Sequence, residues 1–441
     1  MPKESKASRA QWNSSVGFVL AAAGSAVGLG NIWKFPYITG ENGGGAFLLV
    51  YLGCILLIGT PVLIAELLMG RAARSSAVNA YRLGSGPKSA WGGFGVLAVA
   101  AAFALLSYYS TVAGWSLHYT YLSATDQVAG IDADQVQGLF DQMLGSNWVG
   151  VVWQLAFLLL TIAVVAAGVT SGLERCARIL MPGLVILMLI LLGKAVTLPG
   201  WEQGMDFLFG MRFESLTAAG VLEALGHSFF TLSVGMGTML TYGSYLAAKD
   251  DMASAGAVTA GTDTVIAMIA SMVVFPIVFS FGLDSGAGPQ LLFVTLPTAL
   301  SQMTGGAILS LGFFLMLAFA AFTSAISLLE VVAAYLVDSH GIARRKACWG
   351  GGIAVALFGI PATVSTAWFD RVDFLVSNVA LPLGGLGVAL FVAWKLDGAL
   401  RRGEFMAGSR LAKMYGAWLW MLKYPVPACI LLIFLHAIGI V

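Results

Sequence analysis

Charge is what this chain has least of: 10% of its 441 residues are Asp, Glu, Lys or Arg and 59% are hydrophobic, against a charged share of about 25% in soluble domains. That shortage excludes an ordinary water-soluble fold. The formal net charge of +1 is no electrostatic footprint for nucleic acid, and none is expected as a partner. Cysteine is scarce as well. Cys54, Cys176, Cys348 and Cys429 lie in or beside apolar stretches without metal or redox spacing, so they read as small buried hydrophobes. With four histidines there is no His-rich metal motif, and no paired catalytic aspartates fall on neighbouring apolar stretches, so an enzyme is not expected. MPKESKASRAQW lacks the apolar centre and small-residue cut site of a secretory signal, so the first helix is expected to stay.

What is present is a succession of apolar runs long enough to cross a bilayer, about 20 residues each. The sequence predicts an all-α membrane protein of about 11 transmembrane helices, near 14–37, 45–69, 92–123, 147–169, 178–197, 219–246, 256–283, 306–337, 347–367, 373–395 and 418–440. With the N-terminus in the cytoplasm, the inward connections hold 19 of the 23 Lys and Arg, including Lys3, Lys6 and Arg9 in the tail and Arg344, Arg345 and Lys346 further on. The opposite connections are acidic, with Asp126, Asp132, Glu202 and Asp284 among them, and the positive-inside rule selects this orientation.

Two spans are interrupted by small residues at membrane depth: the first by Gly24-Ser-Ala-Val-Gly28-Leu-Gly30, the sixth by Ser233-Val-Gly235-Met-Gly237. Close helix contacts also use glycine. Three glycines and a serine within seven residues, followed by Asn31 and then Lys34-Phe-Pro36, exceed what such contacts require. Breaking a helix in lipid frees backbone groups that cost several kcal/mol each unless protein, water or ligand satisfies them. Paired breaks five spans apart point to a midplane binding site between two five-helix inverted repeats with broken helices 1 and 6. The organisation expected is one transporter domain over 1–441: a cytoplasmic tail at 1–13, a first repeat at 14–197, an inverted second repeat at 219–395 and an extra helix at 418–440.

An unwound helix pair offers amide ends to a carboxylate and free carbonyls to a cation. An amino acid with a sodium ion fits that offer. Thr231 and Ser233 put hydroxyls beside the second break, and Thr323 and Ser324 put two more in an apolar helix. Such hydroxyls usually bond back to their own helix; grouped around two breaks, they are hard oxygen ligands for a small cation.

GSAVGLGNIWKFPY, then ENGGGAFL, FFTLS and FTS, resemble the neurotransmitter:sodium symporter family, in particular its bacterial amino-acid branch of multi-hydrophobic amino-acid transporters. The likeness spans the chain. It implies sodium symport by alternating access, with two Na+ sites and no organic cofactor, in a bacterial inner membrane. One sodium would meet the Ala26 carbonyl, Asn31, Thr231, Asp263 and the substrate carboxylate. The second would sit among the Gly24, Val27 and Ala320 carbonyls and the Thr323 and Ser324 hydroxyls. The resemblance places the substrate carboxylate at Tyr109 and the amides around Leu29 and Gly30, and the ammonium at Phe230, Thr231 and Ser233. The side-chain pocket would be Leu105, Phe230, Met236, Ser324 and Leu328, with Ser25 and Ala26 completing the wall.

Monoamine carriers of this family have an aspartate where this chain has Ser25, so the resemblance favours a hydrophobic L-amino acid over an amine. Met236 stands where relatives often have Phe, which suits several apolar side chains. Asp263 replaces the family's common Asn and would supply the negative charge that chloride provides in animal relatives, so transport is expected to be chloride-independent. His227, where Gln is usual, is expected to be a hydrogen-bonded core residue, and Glu66 to brace the broken helices. Lys34 with Asp373 would form the outer gate, and Arg9 with Asp338, helped by Trp12, the inner one. Gly172 and Pro182 resemble a fifth-helix element that unwinds locally. A channel or a non-transporting amino-acid sensor are the rival readings, and saturable sodium-dependent uptake separates them.

Overall fold

The computed structural model describes residues 9–128, 130–283 and 290–437. Lys3, Lys6, Asp284 and the last residues of the expected 418–440 span lie outside the described residues.

Within them the protein is helical throughout, without a strand. Eight helices are long and apolar enough to cross a membrane: Gly45–Ala73, Gly92–Ala124, Trp148–Ala166, Val169–Ala195, Met252–Ser280, Gly306–His340, Arg344–Val364 and Thr366–Lys395. A bent pair, Ser15–Ala26 and Gly30–Glu41, supplies a further crossing. Two more expected spans are represented by shorter pieces, Ala218–Thr231 with Thr238–Gly243 and Tyr415–Lys423 with Pro425–Ala437. In chain order these elements are called α1 (Ser15–Ala26), α2 (Gly30–Glu41), α3 (Gly45–Ala73), α4 (Gly92–Ala124), α5 (Trp148–Ala166), α6 (Val169–Ala195), α7 (Ala218–Thr231), α8 (Thr238–Gly243), α9 (Met252–Ser280), α10 (Gly306–His340), α11 (Arg344–Val364), α12 (Thr366–Lys395), α13 (Tyr415–Lys423) and α14 (Pro425–Ala437). The chain is a multi-pass membrane protein.

Boundaries differ most from the sequence expectation in three places. α6 begins at Val169 rather than near 178, because a wide turn at Val169–Glu174 runs into it without a break. Hydropathy missed that turn because it carries Glu174, which is buried and accepts from the Asn13 amide at 2.8 Å and from Arg178 at 2.6 Å. α12 begins at Thr366 rather than near 373, capped by the Ser365 hydroxyl. The last expected span divides at Tyr424, ahead of Pro425, whose ring disfavours helical backbone in the residue before it.

α4 and α10, 33 and 35 residues long, pack along one another through the centre. The two broken spans lie against this frame. Each opens on a hydroxyl cap: Ser14 accepts from the Gly17 amide at 2.9 Å and Thr217 from the Gly220 amide at 3.0 Å. α1 ends where Val27 turns extended, and the chain re-enters helix at Gly30 with a bend of 51°. α7 ends at Thr231, and Ser233, Gly235 and Gly237 all take left-handed backbone before α8. At Gly235 the requirement for glycine is double, since φ is 86° and a Cβ would fall 2.2 Å from the Leu381 carbonyl oxygen. Ser233 has a Cβ and still sits at φ 53°. Its hydroxyl donates to the Ser25 carbonyl at 2.9 Å, so one break helps satisfy the other.

Candidate substrate and cation site between the two breaks

Breaks at matching depth leave a cavity of about 20 Å3 between them, room for one or two waters. Ser25, Ala26, Leu29, Gly30, Leu105, Tyr109, Phe230, Thr231, Ser233, Met236, Ser324 and Leu328 all line it, together with Gly28. Gly28 is the lining residue that the sequence reading passed over. A Cβ there would come 2.5 Å from the Ser324 hydroxyl and 3.0 Å from the Tyr109 hydroxyl. The Leu29 amide donates to the Tyr109 oxygen at 3.3 Å, which puts a backbone donor and a phenol on the same wall. Leu105, Met236 and Leu328 make the remainder apolar.

Beside the cavity stands a fully buried carboxylate. Asp263 accepts from the Asn31 side-chain nitrogen at 2.7 Å and from the Thr231 hydroxyl at 3.0 Å, while Asn31 takes the Gly28 amide through its own oxygen at 3.0 Å. No Lys, Arg or His forms an ion pair with Asp263 among the described residues. An isolated carboxylate in an apolar interior requires a proton or a cation.

The second hydroxyl group ties α1 to α10. Ser324 donates to the Ser25 carbonyl at 3.1 Å and lies 3.5 Å from that of Val27. Thr323 donates to the Phe319 and Ala320 carbonyls of its own helix at 3.1 Å, as an apolar helix permits. Gly24 lets Thr323 approach, since a Cβ at Gly24 would lie 3.2 Å from that of Thr323. The Ser25 hydroxyl donates to Ser327 at 2.7 Å. Ser327 was missed, although it follows Ser324 by one helical turn.

Glu66 braces the second break, accepting from the Gly235 amide at 2.7 Å and the Leu240 amide at 3.2 Å. His227 corrects the sequence reading. It is buried, but neither ring nitrogen has a hydrogen-bond partner; its ring lies in an aromatic cage, stacked on Phe35 and Phe230 and tilted against Tyr51.

At one end of the molecule Arg9 pairs with Asp338 at 2.5 Å and holds the Ser244 hydroxyl with its other nitrogens, and its guanidinium covers the Tyr245 ring at 4.6 Å. Trp12, buried, donates to the Tyr242 carbonyl at 3.1 Å. Next to this pair, Glu330 accepts from Tyr245 at 2.6 Å and pairs with Arg344 at 2.5 Å, a connection with no signal in the sequence. At the other end Lys34 and Asp373 are 3.9 Å apart, and Asp373 accepts from Tyr108 at 2.8 Å and Ser377 at 2.9 Å. Cavities of about 230 and 400 Å3 adjoin Lys34. Phe230 and Tyr109 border both the smaller of these and the central cavity, so their rings stand between the two. Gly172 lies in the wide turn that opens α6, and the helix runs unbroken through Pro182.

A multi-pass helical membrane protein with a small cavity between two interrupted helices and a charge pair at either end has the construction of a secondary transporter. Comparison with known proteins gives the particular one: residues 9–137 and 140–440 match the Sodium:neurotransmitter symporter family, and the chain belongs to it. It is 38% identical to an uncharacterized sodium-dependent transporter, YhdH, of Bacillus subtilis, over 98% of each chain. It is 30% identical to an uncharacterized sodium-dependent transporter of Haemophilus influenzae, over 97% of this chain and 98% of the relative. The crystal structure of MhsT in complex with L-phenylalanine superposes with a TM-score of 0.90 at 41% identity, covering 97% of this chain and all of that one. Its family is one of sodium-dependent secondary transporters, not enzymes.

Proposed function

We propose that this transporter carries hydrophobic L-amino acids with sodium by alternating access, at two sodium sites and without chloride. The observation that carries the reading is the cavity between the breaks, which has Leu105, Met236 and Leu328 among its apolar walls and is lined also by Thr231, whose hydroxyl, with the Asn31 amide behind it, donates to the buried carboxylate of Asp263. MhsT, solved with L-phenylalanine, supports an apolar cargo.

The substrate carboxylate would take the Tyr109 hydroxyl and the amides near Leu29 and Gly30, and the ammonium the carbonyls freed around Phe230, Thr231 and Ser233. The first sodium would lie among the Ala26 carbonyl, Asn31, Thr231, Asp263 and the substrate itself. Asn31 now turns its nitrogen toward Asp263. A sodium shared by both residues requires the amide to present its oxygen instead, which aims two oxygens at one cation. With Asp263 supplying the negative charge, no chloride is needed. The second sodium would lie among the Gly24, Val27 and Ala320 carbonyls and the hydroxyls of Thr323 and Ser324. Gly172 and Pro182 would let α6 open a water path toward it.

Eleven crossings, arranged as repeats over 14–197 and 219–395 with a final helix at 418–440, make α1 to α6 and α7 to α12 inverted halves. The positive-inside pattern supports a cytoplasmic N-terminus, and the bacterial relatives support a bacterial inner membrane; Arg9–Asp338 would then be the inner gate and Lys34–Asp373 the outer.

Uptake of labelled leucine, phenylalanine and tryptophan into proteoliposomes tests the reading, with external sodium exchanged for potassium and chloride for gluconate. Saturable uptake that needs sodium and ignores chloride is expected; uptake indifferent to sodium would refute it.

A further inference from the structure

An apolar groove of about 480 Å3 lies outside the transport path, where α4, α10 and α11 meet. Val99 and Phe103 of α4, Tyr335 and Leu336 of α10, and Gly350 and Ala354 of α11 are among its walls. It exists because α11 is stripped of bulk there: a Cβ on Gly350 would meet nothing within 4 Å. Its surroundings are exposed and apolar, with Val96, Ile353 and Leu357 each at least half uncovered. In a membrane protein such a face is turned to lipid.

The groove has a basic end. It occupies the early turns of α4 and α11 and the late turns of α10, so it opens where Gly92 begins one helix, Arg344 begins another and His340 ends the third. Lys88, Arg345 and Lys346 are exposed at that end, and among the described residues none of them makes an ion pair. The nearby acids are engaged: Asp338 by Arg9, and Glu330 by Arg344 and Tyr245. Lys346, Gly350 and Ala354 recur every four residues, so they form one stripe on the face of α11 that walls the groove. The N-terminal ends of α4 and α11 add their positive dipoles. A plain apolar depression accepts any lipid tail; one that leads to free cations at headgroup level discriminates by charge.

We propose that this groove is a binding site for an anionic phospholipid, one acyl chain lying between α10 and α11 and its phosphate meeting Lys346, Arg345 and Lys88. α10 also carries Glu330 and Asp338, on either side of the groove residues Val332 to Leu336, so a bound chain buttresses the helix that holds the Arg9 pair.

The test is native mass spectrometry of the full-length protein in detergent, titrated with phosphatidylglycerol or phosphatidylcholine. Phosphatidylglycerol should be retained in preference, and Arg345→Gln with Lys346→Gln should lower its retention by roughly fivefold per charge removed. Gly350→Leu places a side chain in open space and should lower retention of phosphatidylglycerol by about tenfold with all cations kept, by filling the space a chain would occupy. Gly193→Leu, at an equally open exposed glycine on α6, should leave retention unchanged and serves as the folding control. Equal retention of the two lipids overturns the proposal. So does loss in the charge variant without loss in Gly350→Leu, which would mean surface attraction and no groove, or equal loss in Gly350→Leu and Gly193→Leu.

Discussion

The two ends of the molecule carry charge pairs of unlike construction. At the Arg9 end a guanidinium spends its donors on Asp338 and Ser244, lies over Tyr245 and is backed by buried Trp12 and the Glu330–Arg344 pair. At the Lys34 end a single ammonium stands 3.9 Å from Asp373, with a quarter to a third of each side chain exposed and sizeable cavities on either side. A planar fork fixes direction and number of bonds, whereas an ammonium on a flexible stem holds neither. The Arg9 pair is therefore held within a network, whereas Lys34 lies over the Phe230 ring at 4.8 Å and, with Phe230 and Tyr109, borders the cavity next to the central one.

The largest effect is expected at Asp263. Asp263→Ala strands the Asn31 and Thr231 donors and removes the buried charge, so sodium-driven uptake should fall by roughly a hundredfold. Asp263→Asn should recover part of it in a form that responds to external chloride, measured in proteoliposomes. Next is Arg9→Ala. Losing a partly hydrated pair costs about 2 kcal/mol, less than the buried range, and that moves the closed-to-open ratio by roughly thirtyfold. The readout is the alkylation rate of Thr241→Cys, at a buried residue of α8 whose carbonyl accepts from the Ser244 hydroxyl that Arg9 holds, in a background without the four native cysteines; it should rise accordingly. If alkylation does not change, the network is not what seals that end.

Lys34→Arg tests the opposite end by making it resemble its counterpart. A fork reaching Asp373 should slow substrate association by about threefold in stopped-flow binding; faster association would mean that the Lys34 pair is no barrier. The smallest expected effect is that of salt. Raising choline chloride at constant sodium should speed association by less than about twofold, since it screens the exposed Lys34 pair, and should leave Thr241→Cys alkylation unaltered.

Much of the central site was legible because it is built from short contiguous stretches. Asn31 follows the glycines of the first break directly, and Thr231 and Ser233 flank the second, so a motif of adjacent residues located them. His227 was misjudged for the opposite reason. Phe230 stands one turn along its own helix, but Phe35 and Tyr51 come from two distant helices, and the sequence carries no sign that all three would offer it rings and none an acceptor. Glu330 with Arg344, and Ser25 with Ser327, escaped notice similarly. Helix ends shifted where a polar residue such as Glu174 is buried in a turn, because hydropathy treats every charge as a boundary.

The sequence by itself determined that this chain lives in a membrane, roughly where it crosses, and where two crossings must break, because lipid tolerates neither exposed charge nor an unsatisfied backbone and both constraints act on local residues. Tertiary structure alone decided that the two breaks face each other across a cavity, that Ser233 of one satisfies Ser25 of the other, and that the Arg9 pair sits in a network while the Lys34 pair is more exposed. Those outcomes depend on side chains brought together from helices hundreds of residues apart, where angstroms of distance rather than residue type settle whether a bond forms.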